Sequence, residues 1–399
     1  MVENSTGRPY KEIGLAADPL PVALSDPEAP MQREAFLPTG TSNLLDIKRY
    51  GQSIWLDNLS RTLLREGGLK AYIEQDGVSG VTSNPAIFQK ALSESPHYRD
   101  DIARLRAKDC APEERFESLA VADVQEACDL LRPVWEAGGG DDGYVSLEVS
   151  PRLAYDEVGT VAAAERLHAR VARPNVLIKV PATPQGVLAF ETLTARGVSV
   201  NVTLIFSLLQ HMEVMRAYLR GLERWIASGG DPRRVKSVAS IFLSRVDTLV
   251  DKRLEAIGTE EALRLRGKSA VAMAKVAYSR YREVFHGAEF APLRAAGARP
   301  QYPLWASTGT KNPAYSDVHY VEPLIGPETI NTLPDATLAA FRDHGRAAPT
   351  LEQNAEQALN DYLTLERLGI NMRDVGEELQ VQGVKLFQDA FDQLLSALR

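Results

Sequence analysis

Lys179 stands in the run NVLIKVP (175–181), an ammonium group flanked by Ile178 and Val180. Other polar residues sit in or end comparable runs. Asp57 follows Ile54, Trp55 and Leu56; Thr82 and Asn84 end GVTSNP; Glu148 lies in VSLEVS. Asn201 and Thr203 lie in VSVNVTLIF, Ser240 in VKSVASIF with Arg245 soon after, and Ser307 and Thr308 end PLWAST. Singly, each residue has an ordinary structural role: a strand-end Asp caps a helix, a strand Lys guards a sheet edge, a hydroxyl bonds its neighbour. Together they form a polar set in an apolar interior, where charges must serve one another or a ligand. Desolvation lowers the pKa of a buried lysine and frees a neutral amine. Such an amine adds to a carbonyl to form a Schiff base, whose iminium is an electron sink for breaking or making a neighbouring C–C bond. Asp57 and Glu148, on other strands, supply the proton movers. Lys179 is therefore expected to be the covalent nucleophile of an aldol reaction on a sugar.

These residues need elements that bring them together. Strand candidates are SIWLDNL (53–59), GVTSN (80–84), YVSLEVS (144–150), NVLIKVP (175–181), VSVNVTLIF (198–206), VKSVASIF (235–242), PLWAST (303–308) and HYVEPLIG (319–326). Helical periodicity separates most of them, as in VGTVAAAERLHARVA and SLLQHMEVMRAYLRGLERWIASGG. Eight strands with helical crossovers predict an α/β fold, a single (β/α)8 TIM barrel, whose chemistry gathers at the C-terminal strand ends. The seventh-to-eighth connection shows no helix. The last sixty residues, ending VGEELQVQGVKLFQDAFDQLLSALR, read as additional C-terminal helices packed outside the barrel or across one end. Residues 1–43 carry six prolines and no periodicity, which predicts an N-terminal extension; residues 44–399 form the barrel domain. GGGDDG (138–143) reads as a loop. RLRGKSA resembles the end of a phosphate-binding loop, but Ala262 occupies the required upstream glycine position, so a basic patch on a helix is expected.

Composition narrows the function. Of 399 residues, 44% are apolar and 25% charged, as in globular proteins, and the net charge of -8 argues against a broad nucleic-acid surface. A small anionic substrate needs only a few basic groups and stays open. Two cysteines, Cys110 and Cys128, point to a reducing compartment. No apolar run is long enough for a membrane span and the N-terminus lacks a secretory signal, so a cytoplasmic location is expected. No histidine has a histidine partner at helical spacing, and HExxH and CxxC are absent, so no local zinc motif exists.

Long motifs in this chain resemble those of the transaldolases, in their longer bacterial form: GVSGVTSNPAIFQKAL (77–92), VSLEVSPRLAYD (145–156), NVLIKVPATPQG (175–186), VSVNVTLIFS (198–207), VASIFLSRVD (238–247) and LWASTGTKNPAYSD (304–317). The resemblance runs from GQSIWLDNLSR (51–61) to the final LSALR. It implies a Schiff-base (β/α)8 barrel with the lysine on the fourth strand, which agrees with the strand count. It implies a transferase of the pentose phosphate pathway, moving a dihydroxyacetone unit from sedoheptulose 7-phosphate or fructose 6-phosphate to glyceraldehyde 3-phosphate or erythrose 4-phosphate. No cofactor or metal is implied, sugar phosphates are the only partners, and the chain is expected as a monomer or homodimer.

By the same resemblance, Lys179 attacks C2 of the ketose and Glu148 moves protons through a water held by Thr203. Asp57 takes the proton of the C4 hydroxyl. Asn84 and Asn201 hold the triose unit, Thr82 supports Asp57 or the same hydroxyls, and Ser240 with Arg245 binds phosphate. Where shorter transaldolases carry a second arginine, this chain has STGTK, which gives that part to Lys311 or to the backbone at Thr308–Gly309–Thr310. Ile178, Val180, Phe242 and Trp305 are candidate walls that delay water. Two alternatives fit the same motifs: a fructose-6-phosphate-type aldolase releasing free dihydroxyacetone, and a transaldolase recruited to a specialised sugar pathway.

Overall fold

The apolar runs become the staves of a closed parallel barrel, in a computed structural model that describes residues 42–399. The expected N-terminal extension lies outside the described residues but for its end, where Ser42 caps the helix Asn43–Lys48. The strands are β1 (Gln52–Leu56), β2 (Gly80–Val81), β3 (Tyr144–Glu148), β4 (Val176–Pro181), β5 (Val200–Ile205), β6 (Ser237–Phe242), β7 (Tyr302–Ala306) and β8 (Thr329–Leu333), each hydrogen-bonded to the next, with β8 closing on β1. Such strands are covered on both faces, which is why they read as nearly unbroken apolar runs. β2 is short because Gly80 lies against the Trp55 indole; a Cβ there would fall 2.4 Å from the ring.

Turn and cap residues set where each helix begins. Asn84 and Thr183 cap the helices Pro85–Glu94 and Pro184–Thr194 with proline in the first turn, and Ser207 caps Leu208–Ala227. The GGGDDG loop closes the N-terminal end of the barrel. There Asp142 accepts hydrogen bonds from Ser53 and Trp55, and Asp141 pairs with the buried Lys236.

Two expectations need correction. The eighth strand is Thr329–Leu333 and not 319–326. HYVEPLIG instead holds a single 3-10 turn, Glu322–Leu324, whose Val321, Leu324 and Ile325 are buried as a plug. Pro323 removes a ladder donor there, while TINTL is disguised by its polar residues: Thr332 faces the cavity, and Asn331 faces outward, its Nδ2 donating to the Tyr320 carbonyl at 3.1 Å. The connection between β7 and β8 does lack an α-helix. RLRGKSA is not helical throughout: the short helix Glu260–Leu263 ends in a turn with Gly267 at φ +67° before the helix Ser269–His286 begins.

The C-terminal segment holds two helices: Ala355–Arg367, packed against Ser269–His286, and the long Met372–Ala397, laid across the C-terminal strand ends. Gln380 donates to the carbonyls of Ala182 and Leu204, at 2.8 and 3.1 Å. Among the described residues, no helix is long and apolar enough to cross a membrane, and Cys110 and Cys128 are unpaired thiols.

Candidate active site

Barrel register brings the lysine and its carboxylate together. Glu148 ends β3 and is the Cα partner of Lys179 in β4, which in turn pairs with Asn201 in β5. Lys179 is 4% exposed. Its Nζ lies 3.6 Å from Glu148 Oε2 and donates to the Ser83 carbonyl at 3.1 Å. Burial pushes the Glu148 carboxyl up to about 7 against the pull of the Lys179 ammonium, with a further push from Asp57. A carboxyl poised there can both give and take a proton near neutrality. Among the described residues, Glu148 Oε2 and Thr203 Oγ1 are both buried without a hydrogen-bond partner.

Asp57 does not cap a helix; Ser60 caps the helix Arg61–Arg65. Asp57 instead follows β1, with its Oδ1 accepting from Thr82 Oγ1 at 2.7 Å. Thr82 Oγ1 also lies 2.7 Å from Thr332 Oγ1. A hydroxyl has one proton to donate, so Thr332 donates to Thr82 and Thr82 to Asp57. Burial raises the Asp57 pKa above the ordinary value, while the Lys179 charge and the Thr82 bond hold it back.

Asp57, Thr82 and Lys179 face a cavity of about 160 Å³, lined also by Asn84, Ser240 and Arg245, with Lys311 at its rim; Glu148, Asn201 and Thr203 lie behind its wall. Asn84 caps its helix through Oδ1, at 3.0 Å from the Ile87 N–H, which leaves its amide NH2 for other partners. Asn201 is fully buried between two hydroxyls. Its Nδ2 donates to Ser146 Oγ at 3.0 Å and its Oδ1 accepts from Ser240 Oγ at 2.7 Å. It therefore braces Ser240.

Arg245 has a buried, unpartnered Nη1, and its guanidinium stands 5.7 Å from the Phe242 ring centre. Burial with no compensating carboxylate lowers its pKa from the usual arginine value. An uncompensated guanidinium in a cleft is the signature of an anion site. Ser307, on the same wall, accepts the Ser244 N–H at 3.1 Å and exchanges a hydroxyl bond with it at 2.9 Å. Lys311 reaches this end from the β7–β8 loop, which Tyr315 and Tyr320 pin to Asp251 and Asp247 at 2.7 and 2.9 Å.

Two non-glycine residues flank the site with left-handed backbone: Leu204 at φ +60°, where the β5–β6 register shifts, and Ser307 at φ +54°. Each conformation costs about 1–3 kcal/mol and clusters at functional sites. Of the four expected walls, Phe242 lines the cavity, whereas Ile178, Val180 and Trp305 do not. Side chains alternate along a strand, so with Lys179 inward, Ile178 and Val180 point outward to the helices. Sequence reasoning missed Thr332, hidden on the misplaced eighth strand, and Phe387, delivered by the last helix.

The profile of the family described as Transaldolase/Fructose-6-phosphate aldolase matches residues 54–398. A transaldolase of Thiobacillus denitrificans is 59% identical over 353 residues, 88% of this chain and 98% of that protein. One from Neisseria gonorrhoeae is 49% identical over 89% of this chain and 99% of its own length. Transaldolase 1 of Streptomyces coelicolor is 48% identical over 87% of this chain and 92% of its own. The chain belongs to the transaldolase/fructose-6-phosphate aldolase family, as an enzyme of the transaldolase kind.

Proposed function

We propose that this enzyme moves a dihydroxyacetone unit from sedoheptulose 7-phosphate or fructose 6-phosphate to glyceraldehyde 3-phosphate or erythrose 4-phosphate through a Schiff base on Lys179. The observation carrying this reading is the buried Lys179–Glu148 pair, 3.6 Å apart, beside the Asp57 carboxyl. Lys179 passes a proton to Glu148, and its amine adds to C2, forming the C–N bond. Glu148, with Thr203 holding a water, returns a proton to the former carbonyl oxygen, and water leaves. Asp57 then takes the C4 hydroxyl proton; the C3–C4 bond breaks, its electrons pass into the iminium, and the aldose departs. The enamine carbon attacks the acceptor aldehyde, and Asp57 gives the proton back; water then adds to C2 of the new iminium, and Glu148 moves the proton that lets the C–N bond break, freeing the ketose and the Lys179 amine. Asn84 and Asn201 hold the triose hydroxyls, and Ser240, Arg245 and Lys311 take the phosphate.

We place the chain in the cytoplasm, on the support of its unpaired cysteines, and residues 44–399 are its barrel domain.

The test is borohydride reduction in the presence of fructose 6-phosphate followed by peptide mass spectrometry. A dihydroxyacetone adduct on Lys179, absent in Lys179→Arg, is expected, because a guanidinium does not add to a carbonyl. An adduct that persists in the variant removes Lys179 from the chemistry. Release of free dihydroxyacetone as fast as transfer would favour the aldolase reading.

A further inference from the structure

The helix Met372–Ala397 is seated too closely on the barrel to be a passive cover. At Gly376 a Cβ would fall 2.6 Å from Ser207 Cβ, and at Gly383 it would meet Leu204 Cδ2 at 3.0 Å. Gln380 fixes the same face through the carbonyls of Ala182 and Leu204. Helical spacing then carries that face onward to Phe387, one turn beyond Gly383. Phe387 is 5% exposed, lines the cavity, and has its ring centre 6.0 Å from Lys179 Nζ. One turn further, Phe391 packs edge-on against Phe116, with ring centres 5.6 Å apart, and fixes the height of the helix.

Among the described residues, the cavity has two aromatic walls, Phe242 from β6 and Phe387 from this helix. They stand differently: Phe242 is the one beside Arg245, where phosphate would bind, and Phe387 is the one over the lysine nitrogen. That nitrogen is the atom that becomes cationic in an iminium. After the first aldose leaves, the triose unit stays on Lys179 as an enamine in balance with the iminium. Water adding its oxygen to C2 would send the C=N π electrons to nitrogen. Breaking the C–N bond of the resulting carbinolamine, with proton transfer to the amine, would release free dihydroxyacetone and end the transfer. An aromatic ring above the nitrogen acts on this step twice. It fills the space from which water would approach, and its negative face stabilises the cation.

We propose that Phe387 is the specificity-determining residue that keeps the bound triose unit for the acceptor sugar and suppresses its release to water. The proposal rests on the Schiff-base reading of Lys179. It also gives the C-terminal helix a part in the reaction that no barrel strand supplies.

The experiment compares wild type, Phe387→Leu and Phe387→Ala in two assays. One measures free dihydroxyacetone from fructose 6-phosphate alone; the other measures transfer to erythrose 4-phosphate. Borohydride trapping and circular dichroism are run on each protein. The release-to-transfer ratio is expected to rise about tenfold in Phe387→Ala, and about threefold in Phe387→Leu, which keeps volume and loses the π face. Should the alanine variant fail to fold, the leucine variant decides alone. An unchanged ratio with the Lys179 adduct still trapped overturns the role of Phe387. Failure to trap an adduct in wild type overturns the Schiff-base reading instead.

Discussion

Glu148 and Lys179 are cross-strand partners whose side chains meet inside the barrel, Oε2 3.6 Å from Nζ. The carboxyl is held up to about 7 by burial, which links stability to pH. Below its ordinary value of 4.5 the group is protonated in both folded and unfolded chains and costs nothing. As pH rises through 4.5 to 7 the unfolded chain releases the proton first, so stability falls, by about 3 kcal/mol in all. Glu148→Gln should flatten that fall. Urea unfolding of both proteins across this range checks it; parallel curves would show that the carboxyl is not raised.

Asp57 is placed to move the C4 proton and not to make the imine. Asp57→Ala should therefore still trap a substrate adduct with borohydride while transfer falls by about 10²–10⁴. Single-turnover rates separate the two steps. Loss of the adduct along with transfer would assign Asp57 to the earlier chemistry.

Thr82 donates to Asp57 and holds its pKa down. Removing that bond in Thr82→Val should raise the Asp57 pKa, so the acidic limb of the kcat profile moves to higher pH. Activity would then suffer more at pH 6 than at pH 8. A uniform loss at all pH values would mean that Thr82 only packs.

Arg245 is a half-buried guanidinium whose buried Nη1 has no partner among the described residues, and Lys311 is an exposed ammonium at the rim. Arg245→Ala should raise KM for fructose 6-phosphate about 10–100-fold and hardly change KM for unphosphorylated dihydroxyacetone as donor. Lys311→Ala should act on the same substrate by only a few fold, with the effect fading at high salt. Equal effects on both donors would take either residue out of the phosphate site.

The strands that were legible in the sequence were those with apolar flanks on both sides of the polar residue, such as β4 around Lys179 and β6 around Ser240. The eighth was not, because TINTL alternates the Thr332 hydroxyl, which faces the cavity, with the Asn331 amide, which bonds the Tyr320 carbonyl outside, while the neighbouring HYVEPLIG buries apolar groups as a loop. Thr332 was lost with it. Asn201 was found by motif, yet its bracing of Ser240 needed the register of β5 against β6.

By itself the sequence determined the barrel, seven of its eight staves, and the polar residues that ride on those seven. Periodicity and caps are local properties, and each run carries its own. Tertiary structure alone decided which polar residues touch, that Ile178 and Val180 face away from the cavity, and that Phe387 reaches Lys179 from more than two hundred positions along the chain. Barrel closure and helix docking set those contacts through shape and hydrogen-bond register between distant segments, and no local pattern encodes them.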